Sequence, residues 1–316
     1  MANGTLTGGR LAEHPAWSRA LKSDTLAARC VVPVIVSASV EDREPVEGLA
    51  GVERLSLTEL VREARAAAAA GIAGLLIFGA SDRKDELALI ASQPGHIVPR
   101  AIRCVKDAVP DLAVVTDVCV CAYTSHGQCV LFGREGADVA GTLERLGEIA
   151  IAHAEAGSDL LLPSGMLDGT VAALRAALAD AAEEVPIAAM AKIESCMYHS
   201  HRVAVGATLI RERAVPLLAD DDRGAARARA RRDIQAGADA VVVKPSLATG
   251  DILAMLSRET NEPIFSYQTL DEHFALAAAA ERLTDERGPQ REALRAARRA
   301  GADLLIAHGA AGIAEA

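Results

Sequence analysis

Three cysteines fall within eleven residues in the stretch Thr116–Cys129, which reads Thr-Asp-Val-Cys-Val-Cys-Ala-Tyr-Thr-Ser-His-Gly-Gln-Cys. Cys119, Cys121 and Cys129 would offer a divalent ion three thiolates and leave one tetrahedral position open. An open position marks a catalytic zinc rather than a structural one. The stretch follows a strand-like run, Leu112–Thr116, so the ligands would sit at a strand's C-terminal end, where the active sites of α/β-barrel proteins gather. Cysteine is also an ordinary small core residue. Two cysteines one residue apart, with a third just past a Tyr-Thr-Ser-His-Gly turn, favour metal, with packing as the alternative. Thiolates also take soft ions other than zinc.

Two lysines end apolar runs. Lys192 follows Pro186–Ala191 and Lys244 follows Ala240–Val243. An apolar setting or a second nearby cation lowers a lysine's pKa and frees the neutral amine that attacks carbonyls. A salt bridge or anion contact would explain either lysine alone. Both together, with the cysteines on the same side of the fold, point to carbonyl chemistry.

Positioning these groups requires a barrel or an open sheet. The chain has 316 residues, of which 51% are hydrophobic and only 3% aromatic, so the core must be built from Ala, Val, Leu and Ile. Strand-length apolar runs lie at Val31–Val36, Gly74–Phe78, Leu112–Thr116, Asp159–Leu162, Pro186–Ala191, Ala238–Val243, Pro263–Tyr267 and Ala302–Ala307. They are continuous rather than alternating, as in a parallel sheet buried on both faces. Ala-rich helical patterns separate them, and several end in Ala-Gly, the residue pair that supplies a left-handed helix cap. Eight such alternations predict a (β/α)8 TIM barrel, with residues 31–316 as a single catalytic domain and residues 1–30 as a short N-terminal arm that could embrace a neighbouring subunit. No GxGxxG segment opens a helix, which weighs against a dinucleotide-binding sheet.

The formal charge of −10 and the lack of basic patches with interleaved aromatics exclude nucleic acid as the main partner. Arg223–Arg232 reads as a solvated helix face. No run is long enough to cross a bilayer and Met1–Arg10 lacks a signal core, so the expected location is cytoplasmic. In that reducing setting the six cysteines read as metal ligands or free thiols.

Over most of its length the sequence resembles the porphobilinogen synthase (5-aminolevulinate dehydratase) family. The resemblance is carried by Thr116–Cys129, by Leu162-Pro163-Ser164-Gly165-Met166-Leu167-Asp168-Gly169, by Val243-Lys244-Pro245 with Asp251-Ile252, by Phe265-Ser266-Tyr267-Gln268 and by Arg299-Ala300-Gly301-Ala302-Asp303. It implies a lyase that joins two amino-ketone molecules into a pyrrole. Lys244 would hold the first substrate as a Schiff base and Lys192 the second. Zn2+ on Cys119, Cys121 and Cys129 would polarise or position the second substrate, with Asp117 as a proton carrier or orienting carboxylate. Arg202 and, by a looser alignment, Arg211 would bind the second carboxylate. Ser164, Tyr198, Tyr267 and His308 would complete the substrate contacts. The resemblance also implies a homo-oligomer, an octamer or a dimer.

The pocket departs from the family pattern. The segment after Lys192 carries Glu194, His199 and His201 where small and aromatic residues are expected. Leu270 and His308 stand at the family's serine and tyrosine that bind the first substrate's carboxylate. Losing hydrogen bonds to a charged group costs on the order of 1.5–3 kcal/mol each. The leading expectation is therefore a zinc-dependent, Schiff-base-forming lyase whose preference has moved from 5-aminolevulinate to another amino ketone or keto acid. The alternatives are an orthodox synthase in tetrapyrrole (haem) biosynthesis and a non-catalytic metal-binding barrel.

Overall fold

A computed structural model describes residues 9–313; residues 1–8 of the expected arm and 314–316 of the expected barrel domain lie outside the described residues. Eight strands, named here β1 (Cys30–Ser37), β2 (Gly74–Ala80), β3 (Ala113–Asp117), β4 (Leu160–Leu162), β5 (Ala188–Lys192), β6 (Ala240–Lys244), β7 (Ile264–Tyr267) and β8 (Leu304–Ile306), form the barrel. Each pairs in parallel with its neighbours in chain order, β8 returns to β1, and a bridge between Leu161 and Ile187 joins β4 to β5. The strands are short and buried on both faces, as their unbroken Val, Leu, Ile and Ala content requires.

The predicted helices occupy their expected places within a few residues: Leu57–Ala69, Ile97–Ala108, Val139–Glu155, Thr170–Asp180, Arg223–Gln235, Gly250–Glu259, Leu270–Ala280 and Gly288–Ala300. Gly71, Gly157, Gly237 and Gly301 follow four of them with φ between +72° and +114°, the left-handed region that glycine enters at little cost.

Residues 9–29 fold onto their own barrel, because the helix Pro15–Lys22 carries the chain's one tryptophan to the N-terminal ends of the strands. Trp17 is fully buried, donates Nε1–H to Asp159 O at 3.0 Å and meets Phe265 edge-on at 5.9 Å. Asp159 also accepts from Lys106 at 2.9 Å and lies 3.0 Å from His14. These contacts pack the helix across the N-terminal ends of the strands, opposite the end that carries the lysines.

The helix read as a solvated arginine face is corrected at one position. Arg229 is buried and binds Asp233 at 2.6 Å, Asp168 at 2.9 Å and the carbonyls of Met166 and Leu167. It pins the loop after β4, which carries Ser164 to the cavity.

Trp17→Ala is expected to destabilise the protein by roughly 3–5 kcal/mol in denaturant titration, and Trp17→Phe, which keeps the packing, by about 1 kcal/mol. A loss under about 1 kcal/mol for the alanine variant would show that the helix does not pack across the strand ends.

Candidate active site

Lys192 and Lys244 are register partners on β5 and β6, each the last residue of its strand. Side chains of register partners project to the same face, so both amines enter one cavity at the open end. Tyr198, Tyr267, Ser164, Asp117, Cys121, Cys129, His201 and Arg202 line the same cavity. The Lys244 amine lies 3.7 Å from the centre of the Tyr267 ring, and the Lys192 amine 4.7 Å from that of Tyr198. The Tyr198 hydroxyl donates to Ile193 O at 2.7 Å and Lys244 O at 3.0 Å, tying the start of the following loop to the end of β6.

Burial holds Lys244 well below the usual lysine range, and the Lys192 cation adds to the effect. Burial also lowers Lys192, against the opposing pull of Cys129. Aromatic faces stabilise an ammonium without supplying a counter-charge that would fix it. The result is a pair of amines with access to the neutral, nucleophilic form. Glu272 braces the backbone beside them, since its carboxylate accepts from the Ser246, Leu247 and Thr269 amides while capping the helix that begins at Leu270.

The sulfurs of Cys119, Cys121 and Cys129 lie within 4.8 Å of one another, and Cys119 and Cys121 are 3.4 Å apart. The thiols of Cys119 and Cys121 hold Cys129 well below the usual thiol range, whereas facing those sulfurs holds Cys119 well above it. One thiolate charge is thus already favoured at Cys129, close to Arg202 Nη2 at 3.7 Å. An all-sulfur triad of this size fits a tetrahedral soft metal ion with an open position. Asp117, at the end of β3, has one carboxylate oxygen without a partner, and burial raises its pKa to about 6, opposed by Ser164.

The remaining residues are placed as follows. Arg202 donates to Gly127 O at 2.8 Å and Ala207 O at 2.9 Å, so its guanidinium is held beside the cysteine loop. Arg211 is exposed and is not among the cavity-lining residues; Arg213, two positions on, lines the cavity mouth with Cys129, Ser164, Lys192 and Arg202. The correction is physical, because a tertiary clamp on the flanking backbone selects Arg213, and nothing in Ile210-Arg211-Glu212-Arg213 distinguishes the two locally. His308 follows β8 within Coulombic reach of Lys244, and burial lowers its pKa to about 3. His201, set edge-on to Phe78 at 4.5 Å, is likewise held well below its usual range by burial and by Lys244. The helix His199–Ala204 that carries His201 and Arg202 is anchored by Asp271, which accepts from the Ser200 hydroxyl at 2.6 Å and its amide at 3.1 Å.

A closed barrel carries two lysines at adjacent strand ends, Lys244 buried and Lys192 half-buried, with a cysteine triad alongside, and its relatives make it an enzyme of the lyase class. The chain belongs to the delta-aminolevulinic acid dehydratase family, whose family model matches residues 8–316. It is 36% identical over 314 residues to the delta-aminolevulinic acid dehydratase of Escherichia coli strain K12, covering 97% of this chain and 96% of that one. It is 37% identical over 287 residues to the enzyme of the same description from Methanothermobacter thermautotrophicus, covering 88% and 86%. It superposes with a TM-score of 0.86 and 27% identity on delta-aminolevulinic acid dehydratase (porphobilinogen synthase) from Toxoplasma gondii ME49, solved with the reaction product porphobilinogen, over 97% of this chain and 90% of that one. Among the described residues no helix is long and apolar enough to cross a membrane.

Lys192→Met removes a neighbouring cation from Lys244 and should raise the Lys244 pKa. The pH midpoint for borohydride trapping of a small ketone on Lys244 should therefore move upward. An unchanged or lower midpoint would show that the two amines do not interact.

Proposed function

We propose that the chain is a zinc-dependent, Schiff-base-forming dehydratase that condenses amino-ketone or keto-acid substrates to a pyrrole-type product, with its preference moved away from 5-aminolevulinate at the Lys244 end. The observation that carries the chemistry is the register pairing of Lys192 and Lys244 inside one cavity. Each neutral amine adds to a ketone carbon, and loss of one water converts the C=O bond to C=N. Lys244 would hold one substrate and Lys192 the other, close enough for bond formation between them.

Cys119, Cys121 and Cys129 would hold the metal, which when bound supplies a Lewis-acidic position beside the second substrate. Arg202 and Arg213 supply positive charge for a carboxylate at the Lys192 end. Asp117, protonated in part near neutrality, is suited to hand a proton to or from the reacting carbons. Ser164 orients it, and Tyr198 and Tyr267 form the walls against which the ketones lie.

The changed preference rests on the other end of the cavity. His201 lines the cavity and is held neutral; Leu270, next to the lining residue Thr269, is buried and brings no donor, and His308 stands outside the lining, within Coulombic reach of Lys244 and also held neutral. A neutral imidazole donates one hydrogen bond and accepts another. That suits a tail with both capacities better than a carboxylate, which only accepts. The relatives' names favour the orthodox reading, turnover of 5-aminolevulinate alone. Self-association is part of the proposal and is read by light scattering.

Borohydride reduction of the zinc-loaded protein with 5-aminolevulinate, followed by peptide mapping, separates the readings. We expect adducts on Lys244 or Lys192 with little porphobilinogen released. Efficient porphobilinogen formation would overturn the changed preference, and a folded, metal-bound protein that trapped no ketone would overturn the Schiff-base chemistry.

A further inference from the structure

Gln128 stands next to Cys129, yet its side chain faces the long loop between β5 and the helix Arg223–Gln235. It is almost fully buried. Its amide nitrogen donates to Glu212 O at 2.8 Å, and its amide oxygen accepts from Ala214 N–H at 3.0 Å. The two bonds bracket Arg213. The neighbouring Gly127 presses on the same loop: a Cβ there would stand 2.6 Å from Thr208 O and 2.7 Å from Ala207 O, and its φ of +67° is itself left-handed. Arg202 bridges the two segments through Gly127 O and Ala207 O. The cysteine loop and the covering loop therefore meet backbone to backbone, with Gln128 as the clamp around Arg213, which lines the mouth beside Lys192 and Arg202.

We propose that Gln128 is a positioning residue that ties the covering loop to the cysteine loop and so fixes Arg213 for an anionic group of the substrate held at Lys192. A guanidinium on an untied loop must be ordered by the ligand it binds, and that cost weakens binding. The tie also makes recognition at the Lys192 end depend on an ordered cysteine loop. By linkage, metal binding at Cys129 and anion binding at Arg213 then favour each other. Glutamine suits the position because it donates and accepts at once. Glutamate could still accept from Ala214 N–H, but its charge would face the Glu212 carbonyl oxygen, and alanine could do neither. The catalytic half of the proposal rests on the carbonyl chemistry assigned to Lys192 and Lys244.

The test uses zinc-loaded wild type, Gln128→Ala and Gln128→Glu, with levulinate as the probe. Borohydride adducts are quantified separately on the two lysines, and amide hydrogen exchange is followed across residues 207–217. In both variants the levulinate concentration for half-maximal trapping on Lys192 should rise roughly tenfold while that on Lys244 stays unchanged. Exchange at the Ala214 amide should accelerate by an order of magnitude or more in Gln128→Ala, where its acceptor is lost. Removing zinc from the wild type should accelerate the same amide, and should add little in Gln128→Ala. Unchanged exchange in Gln128→Ala would overturn the tie. Faster exchange with unaltered trapping on Lys192 would overturn the positioning of Arg213, as would a wild-type adduct confined to Lys244. No adduct on either lysine would defeat the carbonyl reading itself, and the exchange at Ala214 would still decide whether Gln128 holds the loop.

Discussion

Two lysines side by side at the ends of adjacent parallel strands impose the central constraint on this structure. The Lys192 ammonium lowers the proton affinity of Lys244, and burial lowers both. Such a pair is tolerated where the surroundings stabilise charge without neutralising it permanently. The Tyr198 and Tyr267 rings do this with their faces, and the Cys129 sulfur does it from the metal side. The barrel supplies the rest, since register pairing sets the two amines side by side at the ends of adjacent strands.

Everything around the pair is arranged in rings of support. Glu272 holds the turn after Lys244, Arg229 holds the loop after β4, and Asp271 holds the short helix that carries His201 and Arg202. At the far end Trp17 packs under the barrel against Phe265 and the carbonyl of Asp159. Lys84 and Arg54 reach from the β2 and β1 side to the carbonyls of Gly206 and Ala204, which secures the covering loop on a third side. The loop over the site is therefore held by side chains from four separate parts of the chain, and Arg202 and Arg213 inherit their positions from those contacts.

What the sequence disclosed follows the range of the interactions involved. Strand and helix positions were legible because continuous apolar runs and Ala-Gly caps are local signals. The lysines and cysteines were legible because each stands at a strand end or within one short loop. Arg213 was not, since Arg211 and Arg213 share one local context and only Gln128, more than eighty residues away in sequence, chooses between them. The burial of Arg229 was hidden inside an arginine-rich helix for the same reason, its acidic and carbonyl partners lying across a loop. Trp17 gave no sign that the arm turns back under the barrel, because the fit depends on Phe265 and on the carbonyl of Asp159.

The account turns on the depressed proton affinity of Lys244. Competitive labelling of the zinc-loaded protein with an amine-acylating reagent across a pH series, with peptide mass analysis, measures it for that residue alone. The account predicts a labelling midpoint for Lys244 well below the usual lysine value of 10.5. A midpoint at or above 10.5 would contradict it, for the amine would then be a resident ammonium and could not serve as the nucleophile.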